Sequence, residues 1–282
     1  MVAIGITSGV LIAQQDGTIT KTAQVFSFTP GTKFPAPFGP NVNGSVNSVS
    51  PNVGVNLEFF TPALEIVPTK PRFFAAIEFL PTFAPNLTVA LNDAATQFLV
   101  PDQQTNTFSA LAIGGQGSRL NAIVMTSVVS ADAGISFEFE FKERLLRFKP
   151  FAGWVRWGVQ STGRVLAAYK NDPLVPPNFP PFFGPDIRFV TVEGEGAEFF
   201  NAVGPGFELE MELEKRGPVR PVLYLMGAGY KTVGNDTFSY QANIGVNDAL
   251  GAAAYGATWT FSVDDWSYRA GIGMRLRWVG GD

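Results

Sequence analysis

The octapeptide FELEMELE, from Phe207 to Glu214, alternates an apolar residue with a glutamate at every step. Successive side chains of a β-strand point to opposite faces, so this stretch predicts a strand with one apolar face and one strongly charged face. Such a strand separates two environments. A soluble sheet turns its apolar face to a core and its charged face to water, whereas a transmembrane barrel turns the apolar face to lipid and lines its lumen with polar groups.

The same period of two recurs along the chain, with glycine and proline concentrated between the alternating segments. About twelve strands are predicted, each close to the 9 to 11 residues that a tilted strand needs to cross a bilayer. They are 21–28, 53–60, 72–80, 105–113, 119–129, 134–142, 151–160, 207–214, 222–230, 237–246, 253–262 and 267–279.

The connections between these strands distinguish the two folds. Short links such as KERLLRFKP (142–150) alternate along the chain with long ones, which we expect near 29–52, 82–104 and 161–206. Long loops at one rim and short turns at the other favour an outer-membrane barrel over a soluble β-sandwich. Residues 21–282 are then a single barrel domain, and residues 1–20 an N-terminal segment that is either a periplasmic extension or the remnant of a secretion signal.

The composition excludes several classes of protein. The 282 residues are 46% hydrophobic and 16% charged, with a net charge of -4 and no basic stretch that would neutralise nucleic-acid phosphates. The chain lacks both cysteine and histidine, which removes disulfides, thiolate metal sites and histidine-dependent catalysis. We therefore expect neither an enzyme nor a cofactor or metal.

The segments FELEMELEKRGPVRPVLYLMGAGY and WSYRAGIGMRLRW resemble strand pairs and closing strands of Gram-negative outer-membrane β-barrel proteins. The resemblance implies an all-β fold, a transmembrane antiparallel up-and-down β-barrel in the cell outer membrane, in contact with the lipid bilayer and lipopolysaccharide. The last strand of such barrels usually ends in an aromatic residue. Trp278 resembles that residue although four residues follow it. Some of the five tryptophans are expected to form aromatic girdles.

Charged residues on the polar faces of the predicted strands are candidates for lining the lumen, where unpaired charge is unfavourable and cross-strand pairing is expected. They are Glu58, Glu78, Glu138, Glu140, Glu208, Glu210, Glu212, Arg72, Arg119, Arg156, Arg269, Arg275 and Arg277. If the charges line opposite walls, the barrel is a channel for passive passage of small polar or ionic solutes. If they crowd the centre, it is a non-conducting barrel that supports the envelope or binds a partner.

The predicted long loops are rich in proline and phenylalanine. Their aromatic side chains either contact a protein partner, lipopolysaccharide or another copy of the chain, or fold inward and constrict the mouth. The residues concerned are Phe34, Phe38, Phe179, Phe182 and Phe183.

Overall fold

The computed structural model describes residues 1–26, 33–37, 42–65, 67–83, 87–89, 96–102, 107–113, 118–141, 144–171, 186–248 and 251–278. The regular structure among these residues is entirely β, as the alternation predicts. The strands are β1 (Val2–Phe26), β2 (Lys33–Pro37), β3 (Val42–Phe60), β4 (Arg72–Pro81), β5 (Leu87–Val89), β6 (Thr96–Asp102), β7 (Thr107–Ile113), β8 (Ser118–Phe141), β9 (Arg144–Asn171), β10 (Asp186–Glu212), β11 (Val219–Val233), β12 (Thr237–Asp248) and β13 (Gly251–Trp278).

Eight of these strands form a closed ring in which every neighbouring pair is antiparallel. The order is β1, β3, β4, β8, β9, β10, β11 and β13, and β13 pairs with β1 to close the circle. Of the remaining strands, β2 pairs with β1, β5 with β8 and β12 with β13, while β6 and β7 form a separate two-stranded sheet. Closure leaves the ring without a free edge over the levels where all eight strands are paired. In the described part of the chain, no helix is long and apolar enough to cross a membrane.

The first strand was not expected. Residues 1–20, predicted as a separate N-terminal segment, lie in the ring: Val2 is opposite Trp278 of β13 on one side and Phe59 of β3 on the other. The segment VAIGITSGV has small residues on its inner face and isoleucines on its outer face. Neither face carries a charged residue, so the segment does not show the alternation of apolar and charged residues that predicts a strand.

Several predicted strands are parts of one longer strand. Segment 119–129 and residues 134–141 of the next predicted strand both belong to β8, and residues 253–262 and 267–278 both belong to β13, so the strands of the ring reach 28 residues. Ser130 and Asp132, between the first two segments, keep ladder pairing with both β4 and β9. In β13 the break is a register shift against Ala13 and Gln15. In β8, pairing on both sides overrides the local polarity that suggested a turn, whereas β13 passes through an irregularity at Asp264 and Asp265, which have no ladder partner.

Short and long links alternate along the ring, but their bounds differ from those predicted. At one end of the ring, here called the short-turn rim, lie the strand ends Val2 and Trp278 and the connections Phe60 to Arg72, Phe141 to Arg144 and Glu212 to Val219. At the opposite rim two links are shorter than expected, whereas the link that was predicted as a loop at 82–104 extends from Pro81 to Ser118 and contains β5, β6 and β7. The prediction of loops at 29–52 and 161–206 is wrong in extent, because β3 begins at Val42, β9 continues to Asn171 and β10 begins at Asp186.

The outer face of the ring changes character along its height. From the short-turn rim upward it carries exposed apolar side chains, such as Ile272 at 66% and Ile6 at 59% exposure. Further towards the opposite rim most of the exposed residues are polar. They are Gln14, Asp16, Asn47, Gln160, Thr162, Arg164, Glu193, Glu195, Ser239, Gln241, Asn243, Asp264 and Asp265. The ring is therefore an apolar band, followed by a polar extension of the same strands.

Candidate functional site

The interior of the apolar band holds most of the buried charge in the described residues. We call this set the interior charge network. Its acids are Glu58, Glu78, Asp132, Glu138, Glu208, Glu210 and Glu212, and its bases are Arg72, Arg147, Lys149, Arg220, Arg269, Arg275 and Arg277. The two signs balance, as expected where a net charge would lie in a low dielectric.

Lys149 is the central base. It lies on β9 with no exposed side-chain surface, and its Nζ donates to Glu58 Oε1, to Glu208 Oε1 at 2.7 Å and to Glu210 Oε1 at 3.1 Å. The ammonium also lies 4.2 Å from the centre of the Phe74 ring, a cation–π distance. The three protons of the ammonium thus have three carboxylate partners, which is the full donor capacity of lysine.

The three carboxylates around Lys149 are also the only arrangement in the described residues that could hold a metal ion. Oxygen atoms of Glu58, Glu208 and Glu210 lie within 4.8 Å of one another. The Lys149 ammonium already bonds to all three, so it takes the position that a cation would occupy. The geometry is that of an internal ion cluster and not of a free ligand cage.

Arg275 reinforces the same cluster from β13. Its guanidinium donates to both oxygens of Glu208, from Nη2 to Oε2 at 2.7 Å, and to Glu210 Oε1 at 3.0 Å, while Nε donates to Asn56 Oδ1 at 3.0 Å. The opposite face of the guanidinium covers the Tyr224 ring at 3.8 Å. Bidentate pairing and ring stacking are properties of arginine that lysine lacks, so this position is specific for arginine.

Towards the short-turn rim the network continues through Arg277 and Arg147. Arg277 donates to Glu210 Oε2 at 2.7 Å and to Glu212 Oε1 at 2.8 Å. Arg147 donates to Glu212 and, from Nη2, to Glu138 Oε1 at 2.9 Å. The last links are Arg72 to Glu138 at 3.1 Å and Arg220 to Glu212. Burial decreases along this path, so the network runs from the centre of the ring to its edge.

A second group of polar side chains lies further from that rim. Arg269 is paired with Glu78 and donates to Ser130 Oγ at 3.2 Å, and Ser130 and Thr7 each donate to Glu78, both at 3.2 Å. The contacts join β1, β4, β8 and β13 across the interior. Their role is to tie non-adjacent strands together through side chains.

The interior of the polar extension is aromatic. Its members, here called the aromatic cluster, are Trp157, Phe200, Phe238, Tyr240, Trp259 and Phe261, with ring centroids of neighbouring pairs 5.3 to 6.5 Å apart. Paired glycines make room for it. A Cβ on Gly163 would lie 2.1 Å from Trp259 Nε1, and one on Gly194 would lie 2.6 Å from the same indole. The interior of the apolar band therefore contains ion pairs, and that of the polar extension contains aromatic rings.

The structure places the predicted lumen-lining residues as follows. On the inner face lie Glu58, Glu78, Glu208, Glu210, Glu212, Arg269, Arg275 and Arg277, all buried, with Arg72 and Glu138 partly buried and Glu140 exposed nearer the rim. The side chain of Arg119, in β8, is outside the described set. Among the predicted loop residues, Phe34 is in β2 with its side chain likewise outside that set, and Phe38, Phe179, Phe182 and Phe183 lie outside the described residues.

The prediction that Arg156 faces the interior is wrong. Arg156 is exposed on the outer face, with its guanidinium 4.4 Å from the Phe199 ring, while its neighbours Val155 and Trp157 are fully buried. Segment 151–158 carries aromatic residues at both parities, so its pattern alone did not identify the inner face. A shift of one residue exchanges the two faces of a strand, and only the pairing of β9 with β8 and β10 decides between them.

Sequence reasoning missed the two bases closest to the acids. Arg147 and Lys149 were assigned to a turn, KERLLRFKP, but β9 already begins at Arg144. A short signal was present, because Arg147 and Lys149 lie on either side of Phe148 and share a face with Phe151. Proline at position 150 and the density of charge made the segment look like a loop.

The comparisons with known proteins do not assign a family, since no family model and no curated protein sequence matches the chain. Among solved structures the chain is similar to the outer membrane protease OmpT from Escherichia coli, at 10% identity and a TM-score of 0.23, with 96% of each chain covered. It is also similar to a Pseudomonas aeruginosa FadL homologue, at 8% identity and a TM-score of 0.20, with 97% of this chain and 90% of the homologue covered. The chain is similar as well to the P. putida toluene transporter TodX, at 9% identity and a TM-score of 0.19, with 93% of this chain and 89% of TodX covered. TM-scores at this level carry no argument about function.

Proposed function

We propose that the chain is an outer-membrane β-barrel whose lumen is closed by its own side chains, and that it supports the envelope or binds a partner instead of conducting solutes. The observation that carries the proposal is the inversion of polarity between the two faces of the ring. Charges with almost no exposed surface, such as Lys149 and Arg275, lie inside, while large apolar side chains such as Ile272 lie outside. A continuous apolar outer band is unfavourable in water and favourable in lipid.

The height of the apolar band supports this proposal. On the outer face of β13 the band begins at Trp266 and ends at Trp278, with Tyr268, Ile272 and Met274 exposed between them. The roughly 12-residue interval, at about 3.3 Å per residue and a tilt of about 40°, spans about 30 Å along the membrane normal. That height matches a hydrocarbon core of about 30 Å flanked by aromatic residues. Trp157 and Trp259 differ from these two tryptophans, because they are buried inside.

The burial of the network favours a closed lumen over a channel. Glu58, Lys149 and Glu210 have no side-chain surface accessible to water, and the aromatic cluster fills the interior above them. A ring of about eight strands has an interior just wide enough to be filled by side chains. Passage of solutes, the leading expectation from the sequence, stays a prediction that would require the ion pairs to separate.

Two measurements test the proposal in order. The first is extraction: the chain should remain with the membrane fraction and require detergent, and a chain that dissolves without detergent contradicts the membrane assignment. The second is conductance of the folded protein in a planar bilayer, where we expect silence from the wild type. Steady conductance that changes in Glu210→Gln but not in Glu193→Gln, an exposed outer residue, would replace the closed barrel by a channel.

A further inference from the structure

The ring is split lengthwise on the polar extension. Strand β10 pairs with β11 only from Asn201 to Glu212, where Asn201 is opposite Val233. Above that level the position of β11 is taken by β12, which pairs with β13 alone in the described residues. Residues 193–200 of β10 and 237–244 of β12 therefore lie side by side without a backbone ladder between them. We call this line the seam.

Side chains, and not backbone hydrogen bonds, close the seam. Phe238 of β12 contacts Phe200 of β10 with ring centroids 6.2 Å apart. The Tyr240 ring packs against Gly196 of β10, where a Cβ added to Gly196 would lie 2.5 Å from the ring. Its hydroxyl is hydrogen-bonded to Ser161 of β9. A closure that depends on two rings opens more easily than a ladder, since opening does not break backbone hydrogen bonds.

Tyr240 occupies a site that is complementary to a phenol on three sides. Its ring stacks on Trp259 at 5.3 Å with an interplanar angle of 15°, and its edge lies against Gly196. Its hydroxyl is 2.8 Å from Ser161 Oγ. Burial raises the pKa of the Tyr240 hydroxyl to about 12, so the group is protonated at neutral pH and retains its donor.

We infer that this site binds phenolic rings, and that Tyr240 is an internal occupant whose ring leaves the site when the seam opens. The walls contributed by Trp259, Ser161 and Gly196 belong to β13, β9 and β10, so they stay in place when the Tyr240 side chain rotates away, while the backbones of Tyr240 and Trp259 stay opposite each other in the ladder. Ser161 is the one hydrogen-bonding side chain among these three walls, and none of the three is charged. The site therefore favours a neutral ring with a single hydroxyl over an ion. Nothing in this inference requires the lumen below to be closed or the band to lie in lipid.

The test uses p-cresol, which reproduces the tyrosine side chain, and toluene, which lacks the hydroxyl. In folded Tyr240→Ala we expect saturable binding of p-cresol, detected by a change in tryptophan fluorescence through Trp259. Adding Ser161→Ala to Tyr240→Ala should lower the affinity for p-cresol about three- to tenfold and leave the affinity for toluene unchanged. The reason is that p-cresol has a hydroxyl that loses its partner, and toluene has none. Folded Tyr240→Ala that binds neither compound, or an equal effect of Ser161→Ala on both, overturns the site.

A second measurement concerns the seam and uses the wild-type chain. We expect p-cresol to accelerate amide exchange in residues 238–244 at those N–H groups that face the seam and not the β13 ladder, since p-cresol competes with Tyr240. The chain has no cysteine, so two introduced cysteines can form a disulfide only with each other within one chain. A disulfide in Ala197→Cys/Ser239→Cys, across the seam, should abolish the acceleration, whereas one in Ser239→Cys/Thr260→Cys, across an existing ladder, should not. If p-cresol does not accelerate amide exchange in the wild type, or if both disulfides suppress the acceleration equally, the seam does not open as inferred.

Discussion

Replacing Lys149 by methionine is the most direct perturbation of the interior charge network. Methionine keeps most of the length and apolar contact of the lysine side chain while it removes the ammonium. Three carboxylates then lose a donor at once: Glu58, Glu208 and Glu210. Their oxygens already lie within 4.8 Å of one another, so the loss also leaves their mutual repulsion less compensated.

The size of the effect follows from what remains. Removing one partner of a buried ion pair costs about 3 to 5 kcal/mol, because the other charge stays buried. Here Arg275 still donates to Glu208 and Glu210, which limits the loss for these two acids. Glu58 retains only Arg275 at 3.4 Å and Arg277 at 3.6 Å. We therefore expect a loss of about 3 kcal/mol in the free energy of unfolding, most of it due to Glu58.

The assay is urea unfolding of the protein folded in phospholipid vesicles, followed by tryptophan fluorescence. Lys215→Met is the matched control, because Lys215 is exposed in the link between β10 and β11 and should change stability by less than about 0.5 kcal/mol. The double variant Lys149→Met/Glu58→Gln should regain part of the loss, since it neutralises the acid that depends most on Lys149.

Two results would refute the reasoning. If Lys149→Met unfolds within about 1 kcal/mol of the wild type, the ammonium is not a required partner of the cluster. If the double variant is less stable than Lys149→Met alone, the Glu58 carboxylate is not the uncompensated charge, and the network is held together by other contacts.

Further predictions concern the outer band and the glycines under the aromatic cluster. Ile272→Lys should lower stability in vesicles by about 2 to 4 kcal/mol, because it places a charge at mid-height of the apolar band, while Gln241→Lys on the polar extension should be near neutral in the same urea assay. An equal effect of the two would contradict the position of the band. Gly163→Ala should displace the Trp259 indole and lower stability by about 1 to 3 kcal/mol, seen as a change in near-ultraviolet circular dichroism. Gly245→Ala, where an added Cβ meets nothing within 4 Å, should leave the spectrum unchanged, and identical spectra for both variants would show that the contact is absent.

Much of the site was accessible from the sequence because its period is local. Glu208, Glu210 and Glu212 share one face of β10 by alternation alone, and Arg275 and Arg277 share one face of β13 for the same reason. The expectation that acids and bases pair across strands follows from the energy of a buried charge. These residues lie together in the structure with carboxylate oxygens and guanidinium nitrogens at hydrogen-bond distance.

Other residues could not be assigned from the sequence. Lys149 was hidden in a segment with proline and four basic residues, and Arg156 was placed on the wrong face, because parity is relative until a neighbouring strand fixes it. The aromatic cluster was missed for a related reason. An aromatic residue satisfies a lipid-facing position and a buried one equally well, so Trp259 and Trp266 look alike in the sequence although one is buried and the other is exposed.

Neighbouring residues along each strand are enough to predict an all-β chain that is amphipathic with a period of two, and the short links between strands predict antiparallel neighbours. Tertiary contacts were needed to bring residues 1–20 into the ring, to continue β8 and β13 through register shifts in their pairing, and to bring the interior charges together at Lys149. The physical reason is that ladder pairing and ion pairing join residues far apart in the chain. Their register is selected by the closure of the ring as a whole.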